Sequence, residues 1–287
     1  MSLMLLAFAA CATGPTASDS ADTAADTAEA VTDYVVSSSV DPAPLTAGSE
    51  SEFTFQIRDQ LGRPIPDLQT SHERVEHVQF LSRDLSSFQH LHEEDYTALT
   101  ADDLRESTFH FPLTVPMAGD YYVVYDFAHH NQYLNRSEWI TAVGEPAQAA
   151  AADLTPNTTA TVDGVTGTLV WDVVPVPGHE ADLTVHLEDA AGPLGPTNDP
   201  LVQYLGADAH LFVVDSAIDW ASHTHAWFPG MEDVAPGHDM PHVYEGPNLP
   251  FHMVLPVPGA YKIWVQFARS SDPAHVYVLP FVFEVVG

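Results

Sequence analysis

The chain has 287 residues, a hydrophobic content of 45% and a formal net charge of −32 at pH 7. This apolar content is sufficient for packed cores, and the length fits one large domain or two of ordinary size. The charge excludes nucleic acid and bare anionic membrane surfaces as partners, because a polyanion repels both and concentrates cations near its surface.

The N-terminal segment, residues 1–11, reads MSLMLLAFAAC and ends at Cys11, the only cysteine. Its apolar run is too short to cross a bilayer as a helix, and one cysteine cannot form an internal disulfide. The segment resembles the end of a bacterial lipoprotein signal with FAAC as the lipobox, although it lacks the positive charges that begin such signals. The resemblance implies lipidation at Cys11 and a membrane anchor.

Residues 12–33 carry five acidic residues, no basic residue and no large apolar side chain before Val31. Such a segment buries too little surface to fold. We therefore expect a disordered acidic linker that tethers the following domains to the lipid anchor. The expected location is the cell envelope, on its periplasmic or extracellular face.

From residue 34 onward, apolar and polar side chains alternate with a period of two, which is typical of β-strands with one buried face. The segments EFTFQIRD (52–59) and DLTVHLED (182–189) share this pattern, and a matching glycine follows each of them. Only TADDLRES (100–107) indicates a short helical turn.

A longer repeat covers most of the chain. The segment at 108–127 aligns with the segment at 249–267, and both contain an apolar strand, a proline and a G-x-Y turn. Seven or so short strands per copy predict an all-β fold of two tandem immunoglobulin-like β-sandwich domains, with Tyr121 and Tyr261 where a tyrosine corner is expected. The predicted boundaries are 34–143 for the first sandwich, 144–160 for a linker and 161–287 for the second sandwich.

The sixteen histidines are unevenly placed, and two windows stand out. Aligned without gaps, HVQFLSRDLSSFQHLH (77–92) and HLFVVDSAIDWASHTH (210–225) share three of sixteen positions, and all three are histidines. The shared positions are His77, His90 and His92 in the first copy, and His210, His223 and His225 in the second. Two copies that differ everywhere else in the window indicate a common role for these residues.

Each window is predicted to form a β-hairpin. If His210 pairs with His225, then Phe212 pairs with His223, and the three imidazoles lie on one face of the hairpin. Opposed Cβ atoms are then about 4.5–5.5 Å apart, which lets three rings share one ion through bonds of about 2.0–2.1 Å. The equivalent pairing would place the three histidines of the first copy on one face of their hairpin. In either hairpin, a register shift of one residue would put the first histidine on the opposite face from the other two.

Further ligand candidates follow the second hairpin. They are His252 on the strand FHMV, and His238, Met240 and His242 in the loop GHDMPH. A thioether beside imidazoles favours copper over zinc, so we expect copper as the first choice of metal and zinc as the second.

Other interpretations stay open. An H-x-H strand also occurs with structural or surface histidines, which would suit a tethered adhesion or scaffold module. A carbohydrate-binding or hydrolytic accessory domain would need an exposed aromatic platform, for which Trp220 and Trp227 are the candidates. HERVEH (72–77) is one residue too long for the zincin H-E-x-x-H, and no G-x-S-x-G elbow, P-loop or dinucleotide fingerprint occurs in the sequence. We therefore expect a protein that is not an enzyme.

The second copy resembles the exported YtkA-like and FixH-like immunoglobulin-type domains of bacteria. The resemblance rests on GADAH before a strand, the H-x-H hairpin, the strand PVPGAYKIWVQF and the final strand VLPFVFEV. It covers residues 200–287 well and 72–143 more loosely, and Ala226 and Glu93 replace the proline that commonly follows H-x-H. The resemblance implies an immunoglobulin-type fold near copper and other heavy-metal handling systems, with the histidines of the second copy as ligands and those of the first as counterparts.

Together these observations predict a cell-envelope lipoprotein that captures, buffers or delivers a transition metal through histidine clusters on β-hairpins. The expected partners are the metal ion, the membrane through the lipid anchor, and an envelope metal-transport or metalloprotein-assembly protein.

Overall fold

The computed structural model of the protein describes residues 33–226 and 246–287. Strands dominate these residues and form four β-sheets, which pair into two sandwiches that follow one another along the chain. The predicted all-β fold of tandem immunoglobulin-like domains is confirmed. No helix in the described ranges is long and apolar enough to cross a membrane.

The first sandwich consists of two antiparallel sheets. One has the strand order β1-β2-β5 and the other has the order β4-β3-β6-β7. The strands are β1 (Tyr34–Asp41), β2 (Ser51–Asp59), β3 (Glu76–Ser82), β4 (Phe88–Leu91), β5 (Thr108–Leu113), β6 (Gly119–His129) and β7 (Gln132–Ala142).

Alternating side chains fill the core of the first sandwich. On β2, Phe53, Phe55 and Ile57 are fully buried, whereas the residues between them are only partly covered. Phe53 packs edge-on against Phe80 of the facing sheet, with ring centroids 5.1 Å apart. Burial of side chains of this size stabilises the fold by about 1.5–3 kcal/mol each, so the two sheets hold together without a disulfide.

The second sandwich is also built from two sheets. One has the order β11-β10-β9-β8, with β15 also paired to β10, and the other has the order β12-β16-β13-β14, with β17 also paired to β16. The strands are β8 (Thr159–Val162), β9 (Val165–Trp171), β10 (Glu180–Asp189), β11 (Gly192–Pro193), β12 (Leu201–Val202), β13 (His210–Asp215), β14 (Ala221–His225), β15 (Asn248–Val254), β16 (Gly259–Arg269) and β17 (Asp272–Val285).

The two sandwiches pack against each other through the sheet that contains β3 and the sheet that contains β13. Phe212 and Trp264 of the second sandwich form a hydrophobic cluster with Leu85 of the first. Phe88 stacks on Trp264 with ring centroids 5.0 Å apart, and Lys262 Nζ donates a hydrogen bond of 2.6 Å to the carbonyl of Leu85. Because both of their faces are covered, β3 and β13 are buried along their whole length.

Two local predictions are confirmed as well. The Tyr121 hydroxyl donates a hydrogen bond of 2.8 Å to the carbonyl of Met117, and the Tyr261 hydroxyl donates one of 2.7 Å to the carbonyl of Val257. Each sandwich therefore contains a tyrosine corner. The short helix expected near residue 100 is α1 (Ala101–Glu106).

Candidate metal centre

The first triad consists of His77, His90 and His92, which the β3–β4 hairpin brings together. Gln79 pairs with His90 across this hairpin, and this register places the three imidazoles on one face. Nδ1 of His77 lies 3.1 Å from Nε2 of His90 and 2.9 Å from Nε2 of His92. The two Nε2 atoms are 3.1 Å apart. At most 8% of any of these residues is exposed, so the three ring nitrogens converge inside the protein.

Two rings of the first triad are held by acceptors of their own sandwich. Nε2 of His77 donates a hydrogen bond of 3.0 Å to the carbonyl of Ser71, and Nδ1 of His92 donates one of 2.7 Å to Oδ2 of Asp95. Carbonyl and carboxylate oxygens only accept, so the proton of each neutral ring is on the outer nitrogen. Such partners orient metal-ligating histidines in proteins.

The third ring is held from the other sandwich. Nδ1 of His90 donates a hydrogen bond of 2.8 Å to Oε1 of Gln266. With all three protons on the outer nitrogens, the three inner nitrogens carry lone pairs within 3.1 Å of one another. Lone pairs at this distance repel one another, and a cation placed between them would remove the repulsion.

Protonation of the rings is disfavoured. Burial lowers the pKa of His77 well below its usual range, and His92 and His223 lower it further. Burial also lowers the pKa of His90 well below its usual range. It lowers the pKa of His92 too, although the carboxylate of Asp95 opposes that shift. The rings therefore stay neutral at neutral pH, which is the form that binds metals.

The second triad consists of His210, His223 and His225 on β13 and β14. His210 pairs with His225 and Phe212 pairs with His223, which is the register that places the three imidazoles on one face. Nδ1 of His210 lies 3.1 Å from Nε2 of His223, and the three ligand atoms lie within 4.8 Å of one another. Nε2 of His225 is buried and has no hydrogen-bond partner among the described residues, as expected for a nitrogen that ligates a metal.

The second triad has supports of the same kind. Nε2 of His210 donates a hydrogen bond of 2.8 Å to the carbonyl of Tyr204. Nδ1 of His223 lies 3.3 Å from Oδ2 of Asp126 in the first sandwich, which is longer than a well-formed hydrogen bond between a ring nitrogen and a carboxylate oxygen. Burial lowers the pKa of His210 and of His225 well below the usual range, so these rings also stay neutral.

The two triads adjoin each other across the interface between the sandwiches. The ring centroid of His90 lies 5.1 Å from that of His223 and 5.9 Å from that of His210. The centroid of His77 lies 5.6 Å from that of His223. Each sandwich also supplies a side-chain oxygen to a ring of the other sandwich: Gln266 contacts His90, and Asp126 contacts His223. The sequence predicts a site on each hairpin, and the structure places the two sites side by side.

A cavity of about 430 Å³ lies beside the triads. It is lined by His77 of the first triad, by His223 and His225 of the second, and by the exposed Tyr133. His72 also lines it and stacks on His225, with ring centroids 3.5 Å apart. Burial and, secondarily, His223 lower the pKa of His72 to about 4. Among the described residues, the cavity is therefore lined by members of both triads.

The other predicted ligands are not part of either triad. His252 on β15 lines the same cavity, and its Nδ1 lies 2.7 Å from Oδ1 of Asp182. Its side chain is 40% exposed, and its role as a ligand stays a prediction. The remaining predicted ligands and the lipidation site lie outside the described residues; they are His238, Met240, His242 and Cys11.

Four residues of the site were not predicted from the sequence: His72, Asp95, Asp126 and Gln266. Asp126 pairs with His77, and Gln266 pairs with His210, so the two supports occupy equivalent positions of the repeat. The alignment of the two G-x-Y strands already shows that Asp126 and Gln266 are equivalent. It does not show how the two sandwiches pack, and that packing directs each of these side chains toward the triad of the other sandwich.

Two other groups in the first sandwich place potential ligand atoms within 4.8 Å of one another. They are Asp67 with His129 and His130, and Glu93 with Asp103 and His110. Both nitrogens of His129 are already bonded, to the Tyr34 hydroxyl at 2.7 Å and to Asp67 at 3.0 Å. Each group also has a partly or fully exposed member, so neither matches the first triad in burial.

The structure thus defines a protein of two tandem immunoglobulin-like sandwiches with facing histidine triads at their interface. The chain belongs to the family described as domain of unknown function DUF8832, whose model matches residues 29–144 and again residues 160–287. The double match agrees with the internal repeat read from the sequence. No curated protein matches the chain.

Several solved structures have a similar fold. A membrane anchored protein from Corynebacterium diphtheriae is 13% identical over 88% of this chain and 59% of its own, with a TM-score of 0.24. The Escherichia coli adhesin FdeC is 16% identical over 88% of this chain and 64% of its own, with a TM-score of 0.23. The fibronectin(III)-like modules of Clostridium thermocellum CbhA are 12% identical over 85% of this chain and 92% of their own, with a TM-score of 0.19. These likenesses assign no function.

Proposed function

We propose that the protein binds transition-metal ions at the first and second triads. The observation that carries this proposal is the convergence of three buried, unprotonated nitrogens in the first triad, 2.9–3.1 Å apart, with every ring oriented by an acceptor on its outer nitrogen. Such an array is unfavourable without a cation, and its rings resist protonation.

The spacing fits a metal ion. Nitrogens bound tetrahedrally at 2.0–2.1 Å lie about 3.3 Å apart, so the first triad needs to expand by only a few tenths of an ångström. Imidazole ligands suit copper, zinc, iron and nickel, and copper forms the most stable complexes among divalent ions of this series. Copper is therefore the favoured metal and zinc the next.

The proposed role is capture, buffering or delivery of the metal rather than catalysis. Burial of the rings favours retention, whereas the cavity lined by His77, His223 and His225 favours exchange. We further propose that the protein is an envelope lipoprotein anchored at Cys11, related to the YtkA-like and FixH-like domains by its H-x-H hairpin and P-x-P-G-x-Y strand. An envelope metal-transport or metalloprotein-assembly protein is the proposed partner.

The alternative is a tandem immunoglobulin-like adhesion or scaffold lipoprotein with structural histidines. Structural histidines are expected to satisfy one another by hydrogen bonds. In the first triad the outer acceptors take all three ring protons, which leaves none for the contacts between rings. This observation favours the metal site.

The test is isothermal titration of the metal-stripped protein with copper and with zinc. Two triple variants separate the triads: His77→Ala, His90→Ala, His92→Ala for the first, and His210→Ala, His223→Ala, His225→Ala for the second. His275→Ala is the matched control, because His275 is exposed and bonded to Asp163 rather than to a triad.

Tight binding that each triple variant reduces, and that His275→Ala leaves unchanged, would support the proposal. Binding no stronger than that of scattered surface histidines, or binding that neither triple variant changes, would contradict it and favour the scaffold alternative. Circular dichroism of each variant checks that the β-sandwiches still fold.

A further inference from the structure

Ions bound at the two triads would be close neighbours. Four pairs of rings, formed by His77 and His90 with His210 and His223, have centroids 5.1–6.4 Å apart across the interface. The surroundings are buried, which strengthens electrostatic interactions. Coulomb repulsion scales with the product of the charges, so two divalent ions repel about four times as strongly as two monovalent ions at the same separation. The charge of the ions therefore decides whether both triads fill.

The compensating negative charge in contact with the triad rings is small. Asp95 bonds to His92 at 2.7 Å, and Asp126 lies 3.3 Å from His223. The guanidinium of Arg74 lies 2.9 Å from Asp95 and offsets part of its charge. The two carboxylates match the charge of two monovalent ions at most, and fall short of the charge of two divalent ions.

Other buried carboxyl groups adjoin the first triad in sequence, namely Glu76, Glu93 and Glu94. Their hydrogen bonds go to backbone N–H groups rather than to triad rings. Glu76 accepts from the N–H of Glu93, Glu93 accepts from the N–H of His110, and Glu94 accepts from the N–H of Val75. The carboxylates in contact with the triad rings are therefore still Asp95 and Asp126.

We propose that the two triads form one dinuclear centre that holds two cuprous ions and accepts only one divalent ion tightly. This inference rests on the proposed function and specifies the ion and the stoichiometry of the same site. Three imidazole nitrogens satisfy a cuprous ion, because Cu(I) takes low coordination numbers and accepts imidazole ligands. A divalent ion at one triad would repel a second divalent ion at the other.

The two side chains that contact a ring across the interface, Gln266 and Asp126, also link the two triads. An ion at the first triad fixes the ring of His90, and with it Gln266 on β16 beside the second triad. An ion at the second triad fixes the ring of His223 beside Asp126 on β6, next to the first triad. Each ion would thereby order a residue that pairs with a ligand strand residue of the other triad, Gln266 with His210 and Asp126 with His77. Such a shared contact is a physical route for coupling between two binding sites.

The experiment compares the two metals on the intact protein. Cu(I) is titrated anaerobically in competition with a chromophoric chelator, and Zn(II) is titrated in competition with a fluorescent chelator. We expect two Cu(I) ions per chain, with affinities within about ten-fold of each other. We expect one tight Zn(II) ion, and a second that binds more than about 100-fold more weakly.

His90→Ala and His223→Ala each disable one triad, and each is expected to bind one Cu(I) and one Zn(II). Two Zn(II) ions with affinities within about ten-fold of each other, or a single Cu(I) per chain, would overturn the dinuclear inference and leave the metal-binding proposal standing. No tight binding of either metal, or two Cu(I) ions still bound in both variants, would overturn the two together.

Discussion

The first and second triads use the same three ligands on equivalent strands, yet they differ in how firmly the rings are held. In the first, every outer nitrogen donates to an oxygen at 2.7–3.0 Å. In the second, His210 has such a bond, the support of His223 is longer at 3.3 Å, and His225 stacks on His72 of the other sandwich. The repeat has kept its ligands while their supports have diverged.

The two triads also differ in exposure. All three residues of the first triad are buried, whereas His223 and His225 on β14 are less completely buried. The cavity reaches His77 of the first triad as well as His223 and His225 of the second. The first triad, whose rings are better supported and more fully buried, is therefore suited to retaining an ion, and the second to exchanging one.

Metal removal is expected to destabilise the protein. An ion that binds only the folded state adds about 4 kcal/mol to the free energy of unfolding when its free concentration is 1,000 times its dissociation constant. Removal with a chelator also leaves the lone pairs of the first triad facing one another. Denaturant unfolding with and without copper measures the change. Equal stability in both conditions would contradict the metal assignment.

Removing one histidine from a triad is expected to leave a single bound ion, whose release rate then reports on the other triad alone. His90→Ala should weaken the first site by more than about 100-fold, beyond the usual effect of losing a supporting residue, and leave an ion that a chelator removes quickly. His223→Ala should leave the slowly released ion in the first triad. Stopped-flow release of copper into a chelator measures both rates. Equal release rates in the two variants would refute the proposed difference between the triads.

Loss of a support is expected to have a smaller effect. In a His223→Ala background, which isolates the first triad, Gln266→Ala should lower copper affinity by about 10–100-fold. In a His90→Ala background, Asp126→Asn should lower the affinity of the second triad by less, because its contact with His223 is long at 3.3 Å. Competition titration gives both values, and a larger loss from Asp126→Asn would reverse the proposed ranking of the supports.

The two tyrosine corners provide a comparison outside the metal site. Tyr121→Phe and Tyr261→Phe each remove one hydroxyl hydrogen bond to a backbone carbonyl. Each should lower the free energy of unfolding by about 1 kcal/mol without affecting metal affinity. Urea denaturation of the metal-loaded variants tests this expectation, and a change in metal affinity would show that the corners also position the triads.

Acid is expected to weaken both sandwiches slightly at equivalent aspartates. Burial raises the pKa of Asp59, but hydrogen bonds from Arg63 and Leu61 outweigh it and lower the pKa overall. The amide of Asn198 and the backbone N–H of Ala191 lower the pKa of Asp189. A lowered folded-state pKa stabilises the fold above the unfolded value of about 3.9, and this contribution is lost as the pH falls through the folded-state value.

Unfolding followed between pH 6 and pH 2 measures this loss, with Asp59→Asn and Asp189→Asn as probes. Each variant should be less stable than the parent at pH 6, and the difference should shrink below about pH 4. A difference that stays constant across this range would show that the carboxylate charge contributes nothing.

Much of the fold could be predicted from local patterns. The alternation in β2 and β10 gives strands with one buried face, and the G-x-Y strands place the tyrosine corners. These features depend on neighbours along the chain or across one hairpin, and such short-range relations are visible in a sequence.

The pairing of the triads could not be predicted in the same way. β3 and β13 lack alternation because they are buried on both faces, but a short apolar run does not reveal what covers its second face. The support of His90 comes from Gln266, which is 176 residues away. Only the packing of one sandwich on the other creates that contact.

Anomalous diffraction at the copper edge, from crystals of the copper-loaded protein grown without oxygen, would locate the bound ions. We expect one anomalous peak at the centre of each triad, about 2.0–2.1 Å from three imidazole nitrogens. Anomalous peaks only at exposed histidines such as His275, or no peak at either triad, would contradict this expectation.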